Sequence, residues 1–449
     1  MYTYIYINTN SHHINMTNII MLQYEHNKLK RFYNTKTFLN KIFDIDHIQI
    51  SILCYIWCKI KIITYDNNIN TRKCKSFLPS AIMYTSYIKV NNKLHGLYLK
   101  CYPSGIYHTI CLYNNNIKRV HIEYHKNGNK LKNMSYNNDN KLHGEYQEFY
   151  HDKQLYIKCT YINGMLNNLY KEWYTNNVLK FSFYYINDKL YGKVFEWHSN
   201  AQLYRLMHYN NNELEGKYHE WFYNSNKKIC CYYKKSLLHG KYISWYFNST
   251  IYTIKYYING MQEGLAKTWH INKKLKSVAQ YKYNMLNGIY KEWFMNKQIY
   301  IKCKYTNNKF NGVYKEWYNN GCIRKICHYK DGNLHGKYRE WHNNGNKNIC
   351  CYYKDKLLHG KYISWNLNGD CYKYCYYENN LLEGSYKIWI DNKLYISTYF
   401  EYNQLSGPYK EWSNTKKLLL SCNYKNNTLC GKYLQWDDQG NKIVDYNYN

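Results

Sequence analysis

Glycine recurs at a fixed interval of 24 residues through most of this chain, at Gly144, Gly192, Gly216, Gly240, Gly264, Gly288, Gly312, Gly336, Gly360 and Gly384. Gly96 precedes the run, and Gly407 and Gly431 follow it after one step of 23. Asn168 fills the gap in the run, and Arg119 takes the glycine's place where the register slips to steps of 23 and 25. A tryptophan stands five residues after most of these positions: Trp173, Trp197, Trp221, Trp245, Trp269, Trp293, Trp317, Trp341, Trp365, Trp389, Trp412 and Trp436. A period this regular in sequence is a regular stack in space, because each unit repeats the same packing with its neighbours. The glycines and tryptophans are therefore read as structural anchors, and the whole as an array of about 15–16 units over residues 63–449.

Each unit reads as a β-hairpin. Tyr314 to Tyr318 is a short aromatic run that ends at Asn320-Gly321, a dipeptide suited to a tight turn. The second run, Tyr300-Ile301-Lys302-Cys303-Lys304-Tyr305, alternates, so Ile301, Cys303 and Tyr305 share one face and the lysines the other. Asp331-Gly332-Asn333 then turns the chain into the next unit. Tyr314 and Trp317 are three apart and break the alternation, which calls for a bulge near the anchor glycine or for two half-buried faces. The glycine itself requires either a positive φ or close approach of a neighbouring hairpin. A degenerate first unit begins near Tyr65, with Arg72 and Phe77 at the glycine and tryptophan positions. A longer duplication is superimposed: residues 226–233 match 346–353 and 237–245 match 357–365, an offset of 120, or five units.

Residues 1–62 lie outside the period. Apolar positions between Ile19 and Phe43 allow one or two helices, and the segment reads as a small N-terminal cap over the first strand edge. No cleavable leader is visible at Met1-Tyr2-Thr3-Tyr4. The most apolar stretch, Ile50 to Ile63, carries Lys59 and Lys61 and falls short of the roughly 20 apolar residues of a membrane-spanning helix.

Charge and cysteine narrow the function. The net charge of +32 favours an acidic partner, but only six of the 62 basic residues are arginine, which argues against nucleic acid. Lys, Asn, Tyr and Ile all have A/T-rich codons, so part of the basicity reflects composition. Cys111, Cys159, Cys231, Cys303, Cys327, Cys351, Cys375 and Cys422 each follow an anchor by 15 residues. In stacked hairpins equivalent cysteines lie about 9.5 Å apart, beyond the roughly 7 Å a disulfide spans, so they read as small buried groups in a reducing, cytoplasmic setting.

The remaining ladders have plain explanations. His95, His143, His239, His335 and His359 precede anchor glycines at a spacing too wide for one zinc ion. Glu148, Glu172, Glu196, Glu220, Glu292, Glu316, Glu340 and Glu411 sit beside lysines and suit cross-strand ion pairing. With no catalytic motif present, the chain reads as a non-enzyme with no cofactor and no metal.

Units such as Asp331-Gly332-Asn333-Leu334-His335-Gly336-Lys337-Tyr338-Arg339-Glu340-Trp341-His342-Asn343-Asn344-Gly345 resemble the variant MORN repeat, a glycine-and-aromatic hairpin module. The resemblance covers roughly residues 65 to 446. The Tyr/Asn/Lys/Ile bias also resembles the long arrays of such repeats encoded by giant DNA viruses, whose setting is the host cytoplasm. The resemblance implies an all-β fold, an elongated, twisted, single-layer antiparallel sheet. It further implies a scaffold that contacts protein partners through its sheet surface, or peripheral binding to acidic phospholipids through a lysine- and aromatic-rich face. Self-association through the terminal strand edges is a further expectation.

Overall fold

The structure, a computed structural model, describes residues 3–8, 59–66, 71–77 and 83–448. The helices anticipated between Ile19 and Phe43 lie outside the described residues. Every regular element among those described is a β-strand, as the period requires. The chain forms two compact units, Met1–Ser225 and Asn226–Asn449.

Within each unit the strands pair antiparallel with their neighbours in chain order. In the first, Leu155–Ile162 pairs with Gly144–Phe149 before it and Met165–Trp173 after it. In the second, Ile323–Lys330 pairs with Gly312–Trp317 on one side and with Asn333–Leu334 and Gly336–Trp341 on the other. Thr3–Asn8 and Lys59–Asp66 pair with each other, and the latter pairs onward with Thr71–Phe77.

Two kinds of turn alternate. Tyr318 N–H donates to the Cys322 carbonyl and Gly321 N–H to the Tyr318 carbonyl, closing a loop of three residues in which Gly321 has φ 86°. The Asn320-Gly321 turn is thus a type I turn followed by a left-handed residue, not a two-residue turn. The two-residue turn with both φ positive lies between repeats, as at Asn307-Asn308 (49° and 64°) and Asn379-Asn380 (48° and 72°). Asparagine enters this region with less strain than other side chains, which accounts for its abundance at these sites.

The ladder shifts register at two places, while residues 312–316 themselves alternate regularly. Glu316 faces Lys325 while Trp317 faces Ile323, so Arg324 is an extra residue bulged from the second strand. On the other side, Ile326 faces Arg339 but Tyr329 faces Leu334, so His335 and Gly336 are looped out at the anchor. By that alternation Tyr314, Glu316 and Cys327 share one face, and Lys315 and Trp317 the other. Both faces are partly buried, although Cys327 at 0 % and Glu316 at 5 % exposure mark the first as the core. There Tyr314 and Tyr329 meet edge to face at 5.9 Å, as do Tyr290 with Tyr305 at 5.9 Å and Tyr338 with Tyr353 at 5.7 Å. Each such pair contributes about 0.5–1.5 kcal/mol beyond its buried area.

The irregular repeats follow from the same geometry. All thirteen anchor glycines have positive φ, from 66° at Gly431 to 120° at Gly288, and Asn168 takes 65° in their place. Arg119 does not replace a glycine. Tyr113 faces Lys118 and Leu112 faces Val120, so only one residue is looped out there and the glycine has been deleted. That correction explains the short step of 23. The second short step arises elsewhere, where the two-residue turn Asp391-Asn392 stands in for the usual three-residue loop.

Candidate functional site

The residues with chemical potential are taken up by the joints between strands and between repeats. Tyr314 Oη donates to Glu316 Oε2 at 3.1 Å, and the bulge brings Arg324 Nη1 to 2.7 Å from Glu316 Oε1, with Lys325 Nζ at 3.4 Å from Oε2. The same tyrosine–glutamate bond recurs at 2.8 Å in Tyr146–Glu148, Tyr290–Glu292 and Tyr338–Glu340. Cross-strand pairing of the glutamates is present, as in Lys180–Glu172 at 2.7 Å and Arg205–Glu196 at 3.4 Å. The lysine adjacent in sequence, Lys315, lies on the opposite face and takes no part. Burial, with the neighbouring carboxylate, holds the Tyr314 hydroxyl well above its ordinary value. Each of these carboxylates is therefore occupied as a hydrogen-bond acceptor.

The eight cysteines of the ladder are all buried thiols. Burial pushes the Cys327 thiol up to about 11 and the Cys303 thiol up to about 12, so both stay protonated at neutral pH and are poor nucleophiles.

The histidine row has a specific role that the sequence did not disclose. Asn163 N–H donates to His143 Nδ1, Asn259 N–H to His239 Nδ1 and Asp355 N–H to His335 Nδ1, each at 3.4 Å. Where the position is glutamate, the bonds are shorter: Tyr283 N–H to Glu263 Oε1 at 2.8 Å and Tyr402 N–H to Glu383 Oε2 at 2.9 Å. In these repeats the side chain meets the amide of the next turn, 19 or 20 residues on; His335 Nδ1 also lies 3.1 Å from Asp355 Oδ1, and at the same position Asn287 Nδ2 instead donates to Asn307 Oδ1. Among the described residues no three His, Cys, Asp or Glu side chains converge as a metal ion requires.

Asparagine forms a second joint. Asn308 Oδ1 accepts from Leu286 N–H at 2.7 Å while its own N–H donates to the Leu286 carbonyl at 3.0 Å. Asn116 clamps Leu94, Asn212 clamps Leu190, Asn380 clamps Leu358 and Asn427 clamps Leu405 in the same way. At the opposite hairpin end, Tyr318 Oη donates to the Trp341 carbonyl at 2.9 Å and Asn344 Nδ2 to the Leu367 carbonyl at 2.8 Å. The signal was available in the sequence as Asn at fixed offsets of 20 from the anchors, masked by the general excess of that residue.

The tryptophans lie on the second face, where Trp197 stacks on Phe195 at 5.7 Å and Trp221 on His219 at 5.6 Å. This outer face also presents the residue after each anchor and its cross-strand partner, as in Lys241 with Tyr256 and Lys337 with Tyr352. Those positions vary from repeat to repeat, and Lys241, Tyr256, Lys337 and Tyr352 are exposed to solvent.

No curated protein matches the chain significantly. Three segments match the family model of the MORN repeat variant, residues 142–163, 310–331 and 334–355. All three begin two residues before an anchor glycine, so the family's unit and the 24-residue period coincide in phase, and within these segments the chain is similar to the variant MORN repeat.

Proposed function

We propose that this chain is a non-enzymatic scaffold that holds protein partners on the outer face of its sheet. The observation that supports this reading most strongly is the use of the polar inventory. Glutamates, tyrosines, cysteines and histidines are spent on joints inside and between repeats, while the residues after the anchors face solvent and differ among repeats. A rigid surface with variable exposed positions recognises partners by complementarity, as repeat arrays do. Charge reversal of Lys241 and Lys337 tests the reading. Loss of captured partners with an unchanged unfolding temperature is the expected result. Retention of every partner by the reversed face would count against it.

A second reading is attachment to acidic phospholipid, supported by the exposed lysines of the same face and the net charge of +32. Its mark is co-sedimentation with phosphatidylserine vesicles that weakens steeply with salt.

A further inference from the structure

Three consecutive repeats of the second unit depart from the rest of its outer face. The residue after the anchor is Lys241, Lys337, Lys361 and Lys432 in four of the unit's other repeats and Ser385 and Pro408 in two, but Leu265, Ile289 and Val313 in these three. All three are open to solvent, at 43 %, 52 % and 43 % exposure. They face Gln280, Lys304 and His328 across the hairpins, so nothing apolar covers them from the partner strand.

A second row runs beside the apolar one, two residues further along each strand. Lys267 pairs with Val278, Val278 with Lys291, Lys291 with Lys302, Lys302 with Lys315 and Lys315 with Ile326. Lys291, Lys302 and Lys315 are therefore directly opposite one another on successive strands. Like charges so placed repel and destabilise the sheet. Acidic side chains that could neutralise them are on the core face, where Glu292 and Glu316 bond to Tyr290 and Tyr314. An apolar row beside an uncompensated cationic row is complementary to a ligand that alternates apolar and acidic groups.

The spacing says what shape that ligand has. Equivalent residues of successive hairpins are two strands apart, about 9.6 Å. A peptide in the polyproline II conformation advances about 9.3 Å in three residues and returns to the same side after each turn. An α-helix repeats its face after seven residues, about 10.5 Å, and drifts out of register about three times as fast. A membrane is a poorer fit, since a sheet that twists about 20° per strand turns the row away from a plane across these strands. From these observations we infer that Leu265, Ile289 and Val313, with Lys267, Lys291, Lys302 and Lys315, form a docking track for an extended acidic peptide bearing an apolar residue at every third position.

The inference rests on the scaffold reading and is separable from it. The probe is a fluorescent peptide of repeated Leu-Pro-Glu triplets, titrated into the full chain and followed by anisotropy. Its comparators are a Leu-Pro-Lys peptide and vesicles of phosphatidylcholine with phosphatidylserine. The acidic peptide is expected to bind and the basic one not. The combined variant Leu265→Lys, Ile289→Lys, Val313→Lys installs the residue found at this exposed position in Lys193, Lys217, Lys241, Lys337, Lys361 and Lys432, so it keeps the fold. It is expected to weaken binding by about tenfold or more. Lys291→Glu, Lys302→Glu, Lys315→Glu together should reverse the preference to the basic peptide. Absence of acidic-peptide binding, binding unchanged in the apolar-row variant, or displacement of the peptide by the vesicles would overturn the proposal. If the peptide fails while charge reversal at Lys241 and Lys337 still releases partners, the scaffold stands and the track falls.

Discussion

Gly288→Val is the substitution whose effect the geometry defines best. Gly288 has φ +120°, outside the narrow left-handed region open to L-residues, and a Cβ there would lie 2.4 Å from Gln280 Oε1, 2.9 Å from its Cδ and 3.0 Å from its Cβ. The amide end of Gln280 can rotate away; its Cβ is tied to a paired strand and cannot. Backbone strain of about 1–3 kcal/mol and a displaced side chain of about 0.5–1.5 kcal/mol together put the cost at about 2–4 kcal/mol. At about 1.4 kcal/mol per factor of ten, local opening should rise by roughly 30- to 1,000-fold. Because stacked repeats contact only their neighbours, faster amide exchange should be confined to Leu275–Lys282, Met285–Trp293 and Ile299–Thr306. Gly240→Asn is the comparison, since Gly240 has φ +77°, nothing lies within 4 Å of its Cβ position, and Asn168 already occupies the equivalent site. Hydrogen exchange that is equal in the two variants, or that spreads over the whole unit, would refute the reasoning.

Three further outcomes follow from the joints. Tyr314→Phe removes the hydroxyl donor to a glutamate that is almost fully buried and should destabilise its repeat by about 1.5–3 kcal/mol, read as faster exchange in Gly312–Trp317. Asn308→Ala loses the bond to Leu286 N–H and strains a residue at φ 64°, for about 1–3 kcal/mol, whereas Asn308→Gly keeps the conformation and should cost less; equal losses would dismiss the conformational part. Burial raises the Tyr305 and Tyr353 hydroxyls to about 12 and the Cys327 thiol to about 11, from 10.0 and 9.0. A raised folded value means that stability is complete below the unfolded value and is lost as pH climbs through the folded one. The chain should therefore unfold as pH rises from about 9 towards 12, with tyrosinate absorbance and loss of β-sheet circular dichroism appearing together. Ionisation of most tyrosines near 10 with the sheet intact would contradict their burial.

Much of the fold is written in local pattern. The alternation at Ile301, Cys303 and Tyr305 gave the core face, and the glycine period gave the unit, because both depend only on residues close in sequence. The bulge at Arg324 was not legible, since an extra residue is defined by what lies across the ladder. For the same reason cross-strand pairing of the glutamates could be anticipated without its partners, which at Glu316 are Arg324 and Lys325, joined by the Tyr314 hydroxyl. Arg119 looked like a replaced glycine, and only the strand register shows a deletion. The contacts of His143, His239 and His335 with amides 20 residues away required the stack to be seen. Of the candidate surface, the substitution of Lys by Leu265, Ile289 and Val313 was present in the aligned repeats. Its significance depends on the exposure of those three and on the lysines that pairing sets side by side.

Removal of one whole period tests the central claim, that the repeats are interchangeable structural units and carry no indispensable chemistry. Deleting residues 290–313, 24 in all, joins Ile289 to Tyr314 and restores the unit's own sequence across the junction. Chemical denaturation followed by circular dichroism should show a cooperative β-protein, slightly less stable and with a slightly shallower denaturant dependence, in proportion to the surface removed. Deleting only the first 12 of those residues should abolish the local register. A 24-residue deletion that destroys cooperative folding, or a 12-residue deletion tolerated as well, would contradict the account.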